Sequence, residues 1–261
     1  MVQPANLGMF VGILFGLVPA MALLYYMLSR YEGFFEDRRV FKWLLIGIGV
    51  GSVVTTFEIV VLGFQDAVYL RSQPVQVGLV LLAVGYAGLE SVVKTSVLNW
   101  HSVRALKDLP FYAVPLGLGF GAANAFILVA RGVVAFTSGE ILQTVTHFQM
   151  FLFFGTQAIL FIGGIMIHAF TAAVISAALS EGMPFRGLFG ATVLGAPFYV
   201  GYYAFYSLEW GTFMAFALPV AVLLYGLWAI RYTITKILDN VVPPEIARQV
   251  RRDIRKKRQG A

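Results

Sequence analysis

The chain has 261 residues, of which 59% are hydrophobic and only 12% are charged, with a formal net charge of +6. A soluble domain does not need so much apolar surface, so this composition excludes a soluble globular protein and indicates a polytopic membrane protein. The sequence contains no cysteine, which excludes disulfides, thiolate catalysis and cysteine-ligated metal. The fold class that we predict is an all-α transmembrane helical bundle.

The chain begins with MVQPANLGMF, a stretch that carries no Lys or Arg. Because a cleavable signal has a charged first region, we expect the first hydrophobic run to be kept as a transmembrane span. Apolar runs of about 20 residues predict seven transmembrane helices, which we call spans 1 to 7. They cover residues 7–28, 43–64, 76–99, 111–133, 156–180, 186–207 and 211–232.

Residues 138–155, SGEILQTVTHFQMFLFFG, are hydrophobic but mixed in character. Together with the apolar run that follows, they are too long for one straight span. We interpret them as an interfacial or re-entrant helix that is broken near Gly155; if they cross the membrane, the number of spans becomes eight. We expect residues 1–235 to form the membrane domain and residues 236–261 to form a basic cytoplasmic tail.

The basic residues are spread unevenly over the two sides of the predicted bundle. Sixteen of the 19 Lys and Arg residues fall on one side, and nine of these lie at or beyond the end of span 7. Only Arg71 and Arg131 fall on the other side, while Lys94 lies within span 3. The positive-inside rule therefore predicts that the N-terminus is outside and the C-terminus is cytoplasmic.

Five polar residues interrupt the apolar spans. Each charge in mid-membrane costs about 2.5–3.5 kcal/mol, so these positions require a physical reason. At a rise of about 1.5 Å per residue, four of the spans place a polar group about 15–22 Å from their inner ends. We therefore predict one shared polar site, formed by Glu58, Glu90, Lys94, Asn124 and His168.

Several explanations of this polar site remain open at the level of the residues. Glu90 and Lys94 are spaced i,i+4 on one helix face and can neutralise each other; Glu58 is a second candidate partner for Lys94. A transport path along these charges is another hypothesis, although we find no internal repeat of the kind that transporters favour. One Glu and one His do not complete a catalytic zinc site, which needs three protein ligands and a water.

Four stretches of the chain resemble, in order and spacing, the motifs of a known membrane protease family. GLESVVKTSVL is similar to an EExxK motif, and AVPLGLGFGAANAFILV is similar to a Gly-rich helix that carries FxxxE. IMIHAFTAAVISAAL resembles a helix with a metal-binding His, and VLGAPFYVGYYAFYSL lies where a second His is expected. The chain thus resembles, over about residues 10–207, the PrsW family of intramembrane metalloproteases, relatives of the CAAX prenyl endopeptidases.

The resemblance implies a proteolytic site of which only part is present. Glu90 and Lys94 match the first Glu and the Lys of EExxK, and His168 matches the first His, with Thr171 in its expected place. The positions that depart from the family pattern are Ser91 and Asn124 in place of Glu, Ala125 in place of Asn, Val200 in place of the second His, and Ala204 at the later polar position.

We therefore predict a catalytically degenerate member of this family that serves as a membrane scaffold or binding protein. The remnant site would comprise Glu90, Lys94, Asn124 and His168, with no confident catalytic residue and no cofactor. The alternative is an active metalloprotease with a rearranged site, in which Glu90 and His168 would be the candidate zinc ligands.

The C-terminal stretch NVVPPEIARQVRRDIRKKRQGA predicts an amphipathic helix. Pro243 and Pro244 suit a helix start, and Ile246, Val250 and Ile254 recur every four residues. Such a helix is expected to lie on the anionic inner leaflet, where each basic residue contributes about 1 kcal/mol. RNA, a membrane-bound ribosome or a cytoplasmic or membrane protein are the alternative partners of its basic face: Arg248, Arg251, Arg252, Arg255, Lys256, Lys257 and Arg258.

Overall fold

The computed structural model describes residues 4–62, 76–104, 106, 108–138, 147–207, 213–242, 248 and 252. The secondary structure of these residues is helical. The α-helices are Pro4–Gly12, Val18–Leu28, Asp37–Phe57, Gln76–Leu98, His101–Arg104, Leu109–Ser138, His147–Ser180, Pro184–Ser207, Phe213–Tyr232 and Asp239–Val241, joined by a 3-10 turn at Ser29–Tyr31 and π-helical turns at Ile13–Leu17, Glu58–Leu62 and Thr233–Leu238.

Within the described part of the chain, seven helical runs are long and apolar enough to cross a membrane. They correspond one by one to the predicted spans and keep those numbers below. The chain is therefore an all-α, polytopic integral membrane protein, as the composition predicts. The observed spans are Asn6–Tyr31, Asp37–Val60, Val80–Leu98, Leu109–Val134, Phe151–Ser180, Pro184–Phe205 and Phe216–Val241.

The predicted break near Gly155 is wrong, because one continuous helix runs over His147–Ser180. The Thr156 hydroxyl donates to the carbonyl of Leu152 at 2.7 Å, a bond within the helix, and a Cβ at Gly155 would meet no atom within 4 Å. At about 1.5 Å per residue this helix is about 50 Å long, so it projects beyond the bilayer core. Residues 147–155 therefore extend span 5, while residues 139–146 lie outside the described part of the chain.

Spans 4 and 5 form the centre of the bundle. In each of them 78% of the most apolar stretch is buried, against 28–39% in the other five spans. Spans 1 and 2 pack on span 4, spans 6 and 7 pack on span 5, and span 3 packs mainly on span 6. Polar side chains on spans 3, 5 and 6 can thus meet without contact with lipid.

Two glycines of neighbouring spans show why the backbones approach so closely around span 4. A Cβ at Gly51 of span 2 would lie 2.8 Å from the Cα of Phe120, and a Cβ at Gly121 would lie 2.8 Å from the Cα of Ile165. Real Cβ atoms do not approach backbone so closely, so these contacts require glycine. Small residues at such crossings are the usual means of packing membrane helices.

Span 7 ends later than residue 232, the end that the sequence predicts. Its helix continues in π-helical form over Thr233–Leu238, and Ile234, Ile237 and Leu238 are buried there. The Tyr31 hydroxyl lies 3.0 Å from the carbonyl of Ile234 and 2.8 Å from Oδ1 of Asp239, which ties the end of span 1 to the end of span 7. Lys236, a residue that we assigned to the tail, therefore belongs to the helix of span 7, where it is exposed.

Candidate functional site

The candidate site is a group of five buried side chains that we call the polar cluster: Glu90, Lys94, His168, Thr171 and Tyr199. Span 3 places Glu90 and Lys94 on one face because they are four residues apart. Span 5 places His168 and Thr171 on one face because they are three residues apart. Span 6 contributes Tyr199. Three of the five residues that we predicted to share a site, Glu90, Lys94 and His168, meet here.

Lys94 is at the centre of the polar cluster. Its Nζ lies 3.3 Å from Oε2 of Glu90, 2.9 Å from Nδ1 of His168 and 3.3 Å from Oγ1 of Thr171. An ammonium group has three hydrogens to donate, so each has an acceptor. The Phe120 ring, whose centroid is 4.4 Å from Nζ, adds a cation–π contact from span 4.

Glu90 accepts hydrogen bonds from two neighbours. Its Oε2 accepts from Lys94 and lies 3.2 Å from Nδ1 of His168, while its Oε1 accepts a hydrogen bond from the Tyr199 hydroxyl. The side chains of Glu90 and Lys94 are only 3% and 2% exposed. A buried carboxylate is costly unless it is both paired and hydrogen-bonded, and here it is both.

The protonation state of His168 follows from the direction of its hydrogen bonds. Nδ1 faces both the Lys94 ammonium and the Glu90 carboxylate, but the contact with Lys94 is shorter, 2.9 Å against 3.2 Å. We therefore assign Nδ1 as an acceptor, which places the proton of the neutral imidazole on Nε2. Nε2 is buried, and among the described residues it has no hydrogen-bond partner.

The surroundings of the imidazole are aromatic. The His168 ring lies between Phe120 and Phe198, with ring centroids 5.4 Å and 5.5 Å away. The cavity beside the polar cluster has a volume of about 10 Å³, which admits a single water at most. A peptide segment does not fit there, so the polar cluster in this conformation is closed to a substrate.

A catalytic zinc site would need at least three ligands from the protein. Among the described residues no group of three or more His, Asp or Glu side chains could hold a metal ion. Within the polar cluster only Glu90 and His168 are candidate ligands, and the Lys94 ammonium lies against both. The polar cluster therefore does not fit a catalytic zinc ion.

The two other residues of the predicted shared polar site are Glu58 and Asn124, and both are buried. Asn124 donates from Nδ2 to Oγ1 of Thr55 at 3.3 Å, so its hydrogen bond goes to span 2 and not to His168. Glu58 is 5% exposed and interacts electrostatically with Lys94 and Tyr199. The hydrogen bond of Asn124 to Thr55 thus joins span 4 to span 2, while Glu90, Lys94 and His168 contact one another.

Tyr199 is the member of the polar cluster that the sequence analysis missed. We aligned the adjacent Val200 with the second His of the family, but Val200 is only partly buried, whereas Tyr199 contacts Glu90. The available signal was the position of Tyr199 in the middle of span 6, since membrane tyrosines usually lie at the interfaces. A mid-span hydroxyl requires a polar partner.

The predicted tail site lies mostly outside the described residues. Arg248 and Arg252 are helical and exposed. The other five basic residues of the predicted surface fall outside the described part of the chain: Arg251, Arg255, Lys256, Lys257 and Arg258.

Comparisons of the whole chain with models of protein families, with curated proteins and with solved structures found no match. The fold and the polar cluster define the class, an integral membrane protein with an ion pair buried in the middle of its helical bundle.

Proposed function

We propose that this protein is a non-catalytic, PrsW-like membrane protein that serves as a scaffold or binding protein for a membrane partner. The observation that carries the proposal is the position of the Lys94 ammonium between the Glu90 carboxylate and the His168 imidazole. A metalloprotease needs a metal ion or an oriented water between such groups. Here a side chain of the protein itself supplies the positive charge.

The hydrogen bonds of Lys94 support a structural role. All three ammonium hydrogens have acceptors, so the charge is satisfied without a ligand. A general base must reach the proton that it removes, yet the carboxylate of Glu90 is already engaged on both oxygens. The polar cluster is arranged to hold spans 3, 5 and 6 together.

The closed cavity supports binding through the outer surface. A transported solute or a peptide bond would have to pass into a space of about 10 Å³ beside Lys94. A scaffold needs no such access, because its partners contact the lipid-facing sides or the loops. We also propose that the face of the bundle with most of the basic residues is cytoplasmic, as the positive-inside rule predicts.

One observation favours the alternative of an active metalloprotease with a rearranged site. Nε2 of His168 is buried without a hydrogen-bond partner among the described residues. If Lys94 swung away, Nδ1 could donate to Glu90 and leave Nε2 as a metal ligand. A His oriented by a carboxylate in this way is common in metal sites.

Metal analysis separates these two functions. The full-length protein, purified without added metal or chelator, is expected to contain far less than one zinc per chain. His168→Ala and the control His101→Ala, at an exposed residue, should not differ in zinc content. One zinc per chain that is lost in His168→Ala and kept in His101→Ala would overturn the proposal.

A further inference from the structure

A second, larger cavity lies at one end of the bundle, between spans 5, 6 and 7. Its volume is about 670 Å³. It opens at the membrane face where spans 5 and 7 end and span 6 begins, and Pro110 at the start of span 4 also lines it. We call this cavity the groove. It shares no lining residue with the polar cluster.

The rim of the groove carries two cations and one carboxylate, which leaves one positive charge in excess. Arg186, Lys236 and Glu181 all line it and are exposed. Arg186 pairs with Glu181 at 3.2 Å, but the two side chains are 71% and 57% exposed, so this pair is weak. Lys236 makes no ion pair with any described residue. The rim therefore attracts an anion.

The walls of the groove combine small and apolar residues with two uncharged polar ones, Ser180 and Asn240. Ala177 and Ala178 line the groove on the side of span 5, and Gly190 lines it on the side of span 6. A Cβ at Gly190 would lie 3.7 Å from Cγ1 of Val174, which is an ordinary contact. The packing of the helices therefore does not require glycine at this position.

Span 7 forms the third wall in an unusual conformation. Lys236 and Ile237, which face the groove, belong to the π-helical turn Thr233–Leu238. Wide turns of this kind occur often at functional sites because they reorient side chains. Here the turn places a cation and an apolar side chain side by side at the membrane interface.

We propose that the groove binds the headgroup of an anionic phospholipid. The lipid phosphate would be held by Arg186 and Lys236, and the glycerol and first acyl methylenes would lie against Val174, Ile237 and Tyr232. The volume is within the usual range for sites of small molecules. Basic pockets between transmembrane helices at an interface are suited to such headgroups.

The charge and the polarity of the groove select this occupant. A free phosphate ion would leave the apolar walls without a contact. The strongly basic segment after residue 242 carries the same sign of charge as Arg186 and Lys236 and would be repelled. The proposal depends on residues outside the polar cluster. A negative result at the groove would therefore leave the proposed function unaffected, and the reverse also holds.

The test is lipid retention by the full-length protein in native mass spectrometry. Delipidated protein is titrated with phosphatidylglycerol and with phosphatidylcholine of the same acyl chains. Wild type is expected to bind phosphatidylglycerol at least tenfold more tightly. Arg186→Gln with Lys236→Gln should reduce that affinity about 25-fold, from a factor of about five for each basic residue near a membrane surface.

A charge-matched control is Arg38→Gln with Arg231→Gln, two exposed basic residues that do not line the groove. It should keep the wild-type preference. Gly190→Leu fills the groove and keeps its charges, and it should also weaken phosphatidylglycerol binding at least tenfold. Equal binding of the two lipids, equal losses in both double variants, or no effect of Gly190→Leu would overturn the proposal.

The occupant itself can be identified by photo-crosslinking in membranes. Replacement of Tyr232, which lines the groove, by p-benzoylphenylalanine should give an adduct with the mass of an anionic phospholipid. A crosslink to residues 243–261 would show that the C-terminal segment fills the groove and would overturn the proposal.

Discussion

Nζ of Lys94 lies 2.9 Å from Nδ1 of His168, so a lysine of span 3 donates a hydrogen bond to a histidine of span 5 in the middle of the bundle. The lysine also reaches Glu90 on its own helix at 3.3 Å. Glu90 and His168 are both buried, so the loss of the ammonium would take a hydrogen-bond donor away from each of them.

Removal of Lys94 alone should destabilise the protein more than removal of both charges. Lys94→Met leaves the Glu90 carboxylate buried and unpaired, which typically costs about 3–5 kcal/mol. Glu90→Gln with Lys94→Met removes both charges and keeps an acceptor for Tyr199, so its Tm should lie closer to that of wild type. Thermal unfolding in detergent measures the difference, and equal Tm values for the two variants would show that the pair is solvated.

Tyr199→Phe should cost more stability than the chemically identical change at Tyr225. The Tyr199 hydroxyl donates to the Glu90 carboxylate, and hydrogen bonds to charged groups contribute about 1.5–3 kcal/mol. The Tyr225 hydroxyl donates to the carbonyl of Leu194 at 2.9 Å, a neutral bond of about 0.5–1.5 kcal/mol. Denaturant unfolding of the two variants is the measurement; a larger loss at Tyr225 would contradict the assigned role of Tyr199.

Gly121→Ala should disturb the polar cluster through span 4. The new Cβ would lie 2.8 Å from the Cα of Ile165 and 2.9 Å from Cδ2 of His168, so spans 4 and 5 must separate. Overpacking of this kind costs about 1–3 kcal/mol.

The control for Gly121 is Gly49→Ala, because a Cβ there meets no atom within 4 Å. That change should be neutral, or stabilising by about 0.5–1 kcal/mol because alanine favours the helix. The Tm of both variants in detergent decides the question. If Gly121→Ala has the same Tm as Gly49→Ala, spans 4 and 5 are less tightly packed than the structure indicates.

Tyr31→Phe should loosen the end of span 7. The hydroxyl of Tyr31 donates to Asp239 at 2.8 Å, and its removal leaves the end of span 7 without this link to span 1. Hydrogen exchange over residues 233–241 should become faster, with little change around the polar cluster. Asp239→Asn keeps an acceptor and should have a smaller effect; unchanged exchange in Tyr31→Phe would mean that the link contributes nothing to the docking of span 7.

The sequence alone was sufficient for the number of spans and for the centre of each, because a length of about 20 apolar residues is a local property of the chain. It placed the end of span 7 too early. It also predicted that Glu90 and Lys94 pair, since their spacing places both on one helix face in any packing arrangement. It failed at Gly155, where the mixed composition of residues 138–155 suggested a break, although a glycine with apolar neighbours continues the helix of span 5.

The partners across helices were decided by tertiary structure alone. Whether span 6 presents Val200 or Tyr199 to Glu90 depends on a rotation of about 100° about the helix axis, which no local pattern determines. Asn124 faces Thr55 and not His168 for the same reason, since the glycines of spans 2 and 4 set how these helices pack. The sequence determined which segments are apolar enough to cross a membrane, and helix packing decided which of their polar atoms meet. The physical reason is that a buried charge can be satisfied only by neighbours that the fold brings within hydrogen-bond distance.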